Sequence, residues 1–96
     1  MDLIMFNDNI LVSELTDDLM NNGTAVMYDS ESPYMFCRVE KIAESLAKQY
    51  DIYCGDVIVI KRYAKEEFLP GLYFISVKDV RCKVPKEVYD NLVINN

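Results

Sequence analysis

Residues 52–60 read Ile-Tyr-Cys-Gly-Asp-Val-Ile-Val-Ile, a Gly-Asp turn that opens directly onto an unbroken β-branched run. Glycine supplies a backbone conformation that other residues resist, and the aspartate can hydrogen-bond within its own turn. Val57, Ile58, Val59 and Ile60 leave no polar face for solvent, so the strand they form is expected to be buried on both sides. Such a strand needs a sheet that closes over it. In a chain of 96 residues the simplest closure is a small barrel. The expectation is therefore an all-β single domain over residues 1–96 with this strand at its centre.

Composition narrows the function classes. Apolar residues make up 51% of the chain, enough for one modest core and no second domain. The net charge is −6, histidine is absent, and no basic cluster exceeds the pair Lys61 and Arg62. A phosphate backbone would be repelled, so nucleic acid is not an expected partner. Cys37, Cys54 and Cys82 are an odd number without metal-ligand spacing, each in an apolar or β-rich context where a free thiol packs as a small hydrophobe. That pattern implies a reducing compartment. Residues 1–6 carry an aspartate and no basic start, unlike a signal peptide, and no apolar run approaches the roughly twenty residues of a membrane span. A soluble, cytoplasmic protein is expected.

Along the chain, residues 3–6 are a short apolar segment, Asn7 and Asp8 signal a turn, and residues 10–15 read as a strand. Residues 16–34 are polar and turn-forming, long for a structureless connection in so small a domain, and such loops are usually functional or disordered. Inside lies an apolar island, Ala25, Val26, Met27 and Tyr28, introduced by Gly23 and Thr24. It reads either as a short edge strand of a hairpin or as a hydrophobic anchor on a mobile arm, residues 16–33. Residues 34–42 alternate loosely and are expected to form a strand, with Cys37 and Val39 on one side and Phe36, Arg38 and Glu40 on the other, its faces not cleanly separated. Val39, Ile42, Ala43, Leu46, Ala47 and Tyr50 recur at helical spacing, with Glu44 four residues before Lys48, which predicts a short helix over 42–49. Residues 62–70 read as a charged connection ending in a Pro70-Gly71 turn, and residues 72–77 as a strand. Val80, Cys82 and Val84 then alternate with Arg81 and Lys83 as a half-buried final strand that Pro85 stops. The tail, residues 85–96, holds a helical turn or two around Val88 and Leu92. The expected barrel core is Ile10, Val12, Val39, Val57, Val59, Phe74 and Val80.

Groups for chemistry are scarce. No histidine is present for general-base work or metal binding, no glycine-rich loop for phosphate, and no serine or cysteine is set beside a base. Asp17 with Asp18 and Glu66 with Glu67 fall in expected loops, where they read as solvated acids. The seven tyrosines read as amphipathic packing at the rim of a small core. No enzyme, no metal and no cofactor are expected.

The order of these features resembles the GroES-type co-chaperonins. The first half carries Asn7-Asp8-Asn9-Ile10-Leu11-Val12, then Gly23-Thr24-Ala25-Val26-Met27, then a strand through Val39. The second half carries Tyr53-Cys54-Gly55-Asp56-Val57-Ile58-Val59-Ile60, Arg62-Tyr63-Ala64, Gly71-Leu72-Tyr73-Phe74-Ile75 and Val77-Lys78-Asp79-Val80. Each motif alone is weak, and their succession over residues 3–84 is more specific. The resemblance implies a small irregular β-barrel that assembles into a homo-heptameric ring and lids the folding chamber of a large ATP-dependent chaperonin. It implies chaperonin binding by Gly23, Thr24, Ala25, Val26, Met27 and Tyr28. It also implies a subunit joint in which Leu3, Ile4 and Phe6 of one copy meet Val80, Cys82 and Val84 of the next. Thr24 stands where the family has a glycine, Ala25 is smaller than the usual residue, and the short helix occupies the place of the roof hairpin. Such divergence looks like the co-chaperonins of tailed bacteriophages, which act in the host cytoplasm. The alternative is a phage assembly or virion module that keeps the barrel without chaperonin binding.

Overall fold

The computed structural model describes residues 2–15 and 33–94. Its strands are β1 (Asn9–Glu14), β2 (Tyr34–Ile42), β3 (Val57–Lys61), β4 (Glu66–Leu69), β5 (Leu72–Ser76) and β6 (Val80–Val84). They form one six-stranded sheet in the order β4-β5-β1-β2-β3-β6, antiparallel at every joint. Helix α1 (Glu44–Tyr50) connects β2 to β3, and α2 (Lys86–Ile94) follows β6. The fold is of the expected all-β, barrel-like class with a short helix after β2. The sheet does not close on itself, and β4 and β6 remain as its two edges.

The middle of the sheet belongs to β1 and β2, whereas the Val-Ile run of β3 lies one place in from the edge. β1 earns its position by composition: Ile10, Leu11 and Val12 are buried in succession, which requires cover on both faces. Ile10 pairs with Ile42 and Ile75, and Val12 with Val39 and Tyr73. In β2 the buried set is Met35, Cys37 and Val39, with Phe36 and Arg38 half-buried between them, so the expected division of faces is realised. Each of these aliphatic side chains contributes about 1.5–3 kcal/mol on removal from water.

Four of the expected core residues, Ile10, Val12, Val39 and Val57, are buried. Val59, Phe74 and Val80 are only half-buried, and the correction follows from the two-residue period of a strand. In β3, Ile58 and Ile60 are fully buried and Val59 faces the other way, opposite Phe36 and Cys82. Phe74 lies in β5 between Leu11 and Glu66 and meets Phe68 with ring centroids 4.8 Å apart. Val80 begins an edge strand and is covered from one side alone.

The turn that launches β3 is closed as its residues suggest. Gly55 takes φ +92°, a backbone conformation open to glycine. The Asp56 carboxylate accepts from the Tyr53 amide at 2.8 Å, and the Asp56 amide donates back to the Tyr53 carbonyl at 3.0 Å. Two further bonds of 2.8 Å tie this turn to β2: the Gly55 amide donates to the Val39 carbonyl, and the Val39 amide to the Asp56 carbonyl. Helix α1 ends on Asp51 in the left-handed conformation, and its inner face, Leu46 and Ala47, packs with Ile52 on the sheet. From α2, Tyr89 reaches the same core.

Two expectations are corrected here. Residues 62–70, read as a plain connection, contain a 3-10 turn (Arg62–Ala64) and the whole of β4. All four residues of β4 are exposed, so the strand carries none of the alternation by which strands are recognised. Among the thiols, Cys37 is buried, but Cys54 and Cys82 are exposed, because one sits in the turn before β3 and the other on an edge strand.

Candidate interaction surface

At the β4 end of the sheet, residues 3–6 run beside the β4–β5 hairpin. They line a groove of about 260 Å³ together with Asn9, Glu66 and Phe74. Ile4 is 81% exposed and Phe6 71%, and Phe68 and Leu69 add further apolar surface from β4. Large apolar side chains left open to water in one place mark a contact surface. Leu3 and Met5 are half-buried, and at the far end of the segment the Asn9 amide and side-chain amide both donate to the Phe6 carbonyl, at 3.4 and 3.2 Å.

At the opposite edge, β6 alternates Val80, Cys82 and Val84 with Arg81 and Lys83. The three middle residues are exposed, and Val80 and Val84 are half-buried against the core. Lys83 is spoken for: its ammonium lies 3.4 Å from the Asp56 carboxylate and 3.6 Å from that of Asp51, and donates to the Asp51 carbonyl at 2.8 Å. Burial pulls the Lys83 ammonium down, but the carboxylates of Asp56 and Asp51 together outweigh it and hold it above its ordinary value. Arg81 enters no ion pair among the described residues. Thus the structure sets the expected joint residues Leu3, Ile4 and Phe6 at one end of the sheet and Val80, Cys82 and Val84 at the other.

The expected chaperonin contacts, Gly23, Thr24, Ala25, Val26, Met27 and Tyr28, lie outside the described residues. What is described is their root. Glu14 pairs with Cys37, and the Leu15 amide donates to the Phe36 carbonyl at 3.3 Å. On the return side the Pro33 carbonyl accepts from the Arg62 amide at 2.7 Å, and the Arg62 guanidinium donates to the Tyr34 carbonyl at 3.2 Å. Chain departure and return are therefore fixed side by side on neighbouring strands.

Among the described residues no group of three His, Cys, Asp or Glu side chains could hold a metal ion, and no helix is long and apolar enough to cross a membrane. Burial, reinforced by the Glu14 carboxylate, pushes the Cys37 thiol up to about 12, so this sulfur is a packed, protonated group. The expected joint residues were legible as apolar stretches. Glu66 and Glu67 were read as solvated acids of a loop and Arg81 as an outer residue of the final strand, because their placement on the two sheet edges is visible only once strand order is known. Comparison with protein-family models, with curated proteins and with solved structures gives no match to this chain.

Proposed function

We propose that this chain is a co-chaperonin: a subunit without catalytic chemistry that assembles into a ring, engages a large ATP-dependent chaperonin through residues 23–28 and lids its folding chamber. The observation that carries the reading is that the chain leaves β1 and returns on β2 side by side at the two ends of residues 16–32, the stretch whose sequence holds Gly23-Thr24-Ala25-Val26-Met27-Tyr28. The order of motifs over residues 3–84 supports it independently. Apolar surface at the chain ends, Leu3, Ile4 and Phe6 at one end of the sheet and Val80, Cys82 and Val84 at the other, supplies the ring joint.

The energetics favour a ring over a lone subunit. Burying Val26, Met27 and Tyr28 contributes about 1.5–3 kcal/mol each, while ordering the backbone costs about 1–2 kcal/mol per residue. One such segment binds weakly. Several on one rigid ring make the later contacts effectively intramolecular and raise avidity without further chemistry.

The test is retention of the assembled protein on a double-ring chaperonin loaded with ATP, compared with Val26→Ser/Met27→Ser. Wild type is retained, and the double variant is lost from the complex with its melting temperature unchanged. A wild-type assembly that the chaperonin does not retain overturns the chaperonin part and leaves the assembly-module reading. A double variant that melts early assigns Val26 and Met27 to the fold instead.

A further inference from the structure

We propose that the cleft between helix α2 and the β2–β3–β6 end of the sheet binds a small monocarboxylic acid, its carboxylate held by Arg38 and Lys86 and its apolar body laid on Val57, Val84 and the ring of Tyr89. The site is independent of the co-chaperonin reading.

Strand register builds the floor. Arg38 stands directly opposite Val57 on β3, and Val57 opposite Val84 on β6, so the three side chains form one row on the same face of the sheet. Tyr89 of α2 is buried in the core cluster that includes Val57 and against which Val84 packs. Between row and helix lies a cleft of about 220 Å³, lined from the sheet side by Arg38, Val57 and Val84 and from the helix by Lys86, Tyr89 and Asp90. That is below the roughly 300–1,000 Å³ of pockets for drug-sized ligands, so the occupant is a smaller molecule.

Arg38 is the feature that points to an anion. It sits at the middle of β2 between the fully buried Cys37 and Val39 and is itself half-buried. A partly desolvated cation is costly unless an anion meets it. Among the described residues its guanidinium makes neither an ion pair nor a hydrogen bond. No fully buried side-chain nitrogen of the described residues lacks a partner, so the Arg38 donors open to water at the wall of the cleft. The planar fork of a guanidinium matches the two oxygens of a carboxylate.

Charge sets the valence of the ligand. The cations of the cleft are Arg38 and Lys86, and its acids are Asp56 and Asp90. Asp56 is neutralised by Lys83 at 3.4 Å and spent on the Tyr53 amide. Asp90 offsets one cation. A single positive charge is left over, which one carboxylate matches and a doubly charged phosphate exceeds.

The test is titration of the isotope-labelled full chain with three probes of one shape, phenylacetate, phenylacetamide and phenethylamine, followed by amide chemical shifts. Phenylacetate moves the Val57, Val84 and Tyr89 amides saturably, with a dissociation constant on the order of 1 mM. The neutral amide and the amine bind at least about tenfold more weakly. Arg38→Gln abolishes phenylacetate binding, Lys86→Gln weakens it about threefold, and Lys48→Gln on α1 leaves it unchanged. Melting curves verify that each variant is folded; should Arg38→Gln not fold, Lys86→Gln and the probe series decide. A saturable shift that is absent well above the expected constant overturns the site and makes Arg38 a solvated arm. Equal binding of the amide, or preference for the amine, overturns recognition of a carboxylate, and binding that survives both the Arg38 and Lys86 variants places the acid elsewhere.

Discussion

The Lys83 ammonium lies 3.4 Å from the Asp56 carboxylate, which itself accepts the Tyr53 amide at 2.8 Å, so one side chain closes the turn before β3 and clamps edge strand β6 to it. The two contacts differ in worth. Asp56→Ala leaves a turn amide without its charged acceptor and should cost about 1–3 kcal/mol. Lys83→Ala removes partly exposed ion pairs and should cost under about 1 kcal/mol. Urea unfolding of both variants checks the order, and an equal loss would mean that the clamp outweighs the turn.

Substitutions along β3 should separate its faces. Ile58→Asp or Ile60→Asp places an unpaired carboxylate at a fully buried position, a cost of several kcal/mol that is comparable to the stability of a small domain. Both variants should be unfolded at 25 °C. Val59→Asp, half-buried beside Phe36 and Cys82, should stay folded with a lowered melting temperature. Thermal melts followed by circular dichroism decide it, and a folded Ile58→Asp would displace β3 from the core.

The three thiols should divide two to one. Cys54 and Cys82, exposed, should react with a water-soluble disulfide reagent within minutes, and Cys37 only on unfolding. Cys37 also fixes a pH dependence. Its folded value, about 12, exceeds the ordinary 9.0, so the unfolded chain loses this proton first as pH rises. Stability from this group is intact below about pH 9 and falls between about 9 and 12, by at most about 1.4 kcal/mol per pH unit. Cys37→Ala, though less stable at neutral pH, should show a shallower loss over that window in denaturant titrations at stepped pH.

Deleting residues 1–6 should leave the sheet folded and the assembly lost. Asp8 remains to accept the Val77 amide at 2.7 Å and the Ser76 hydroxyl at 2.9 Å, which hold β1 to the end of β5. The deletion removes the exposed Ile4 and Phe6. Mass measurement by light scattering should give monomers, and an unchanged assembled mass would take residues 1–6 out of the joint.

Elements whose burial alternates cleanly were legible from residues alone. β2 spans the residues assigned to it from its Cys37 and Val39 pattern, and α1 follows Leu46 and Ala47. β4 escaped because Glu66, Glu67, Phe68 and Leu69 are all exposed, and a strand wet on both faces has no period to read. The rank of β1 over β3 escaped for a different reason. Local sequence shows that Ile10 and Ile58 want burial, while which strand lies nearer the middle is set by strand order: β1 pairs with β5, which has β4 beyond it, and β3 pairs with the edge strand β6. The apolar surfaces at residues 3–6 and on β6 were visible as stretches, but their separation to opposite edges is a property of strand order.

The pairing of β1 has a further consequence for how the chain is made. Leu11 pairs with Lys41 on one side and Phe74 on the other, so this central strand, made first, waits for a partner far along the chain. A ribosome adding about 5–20 residues per second leaves β1 half-covered for seconds after β2 has emerged. During that interval Ile10 and Val12 stand at an open margin, and a neighbouring nascent chain can offer its own strand before β5 arrives.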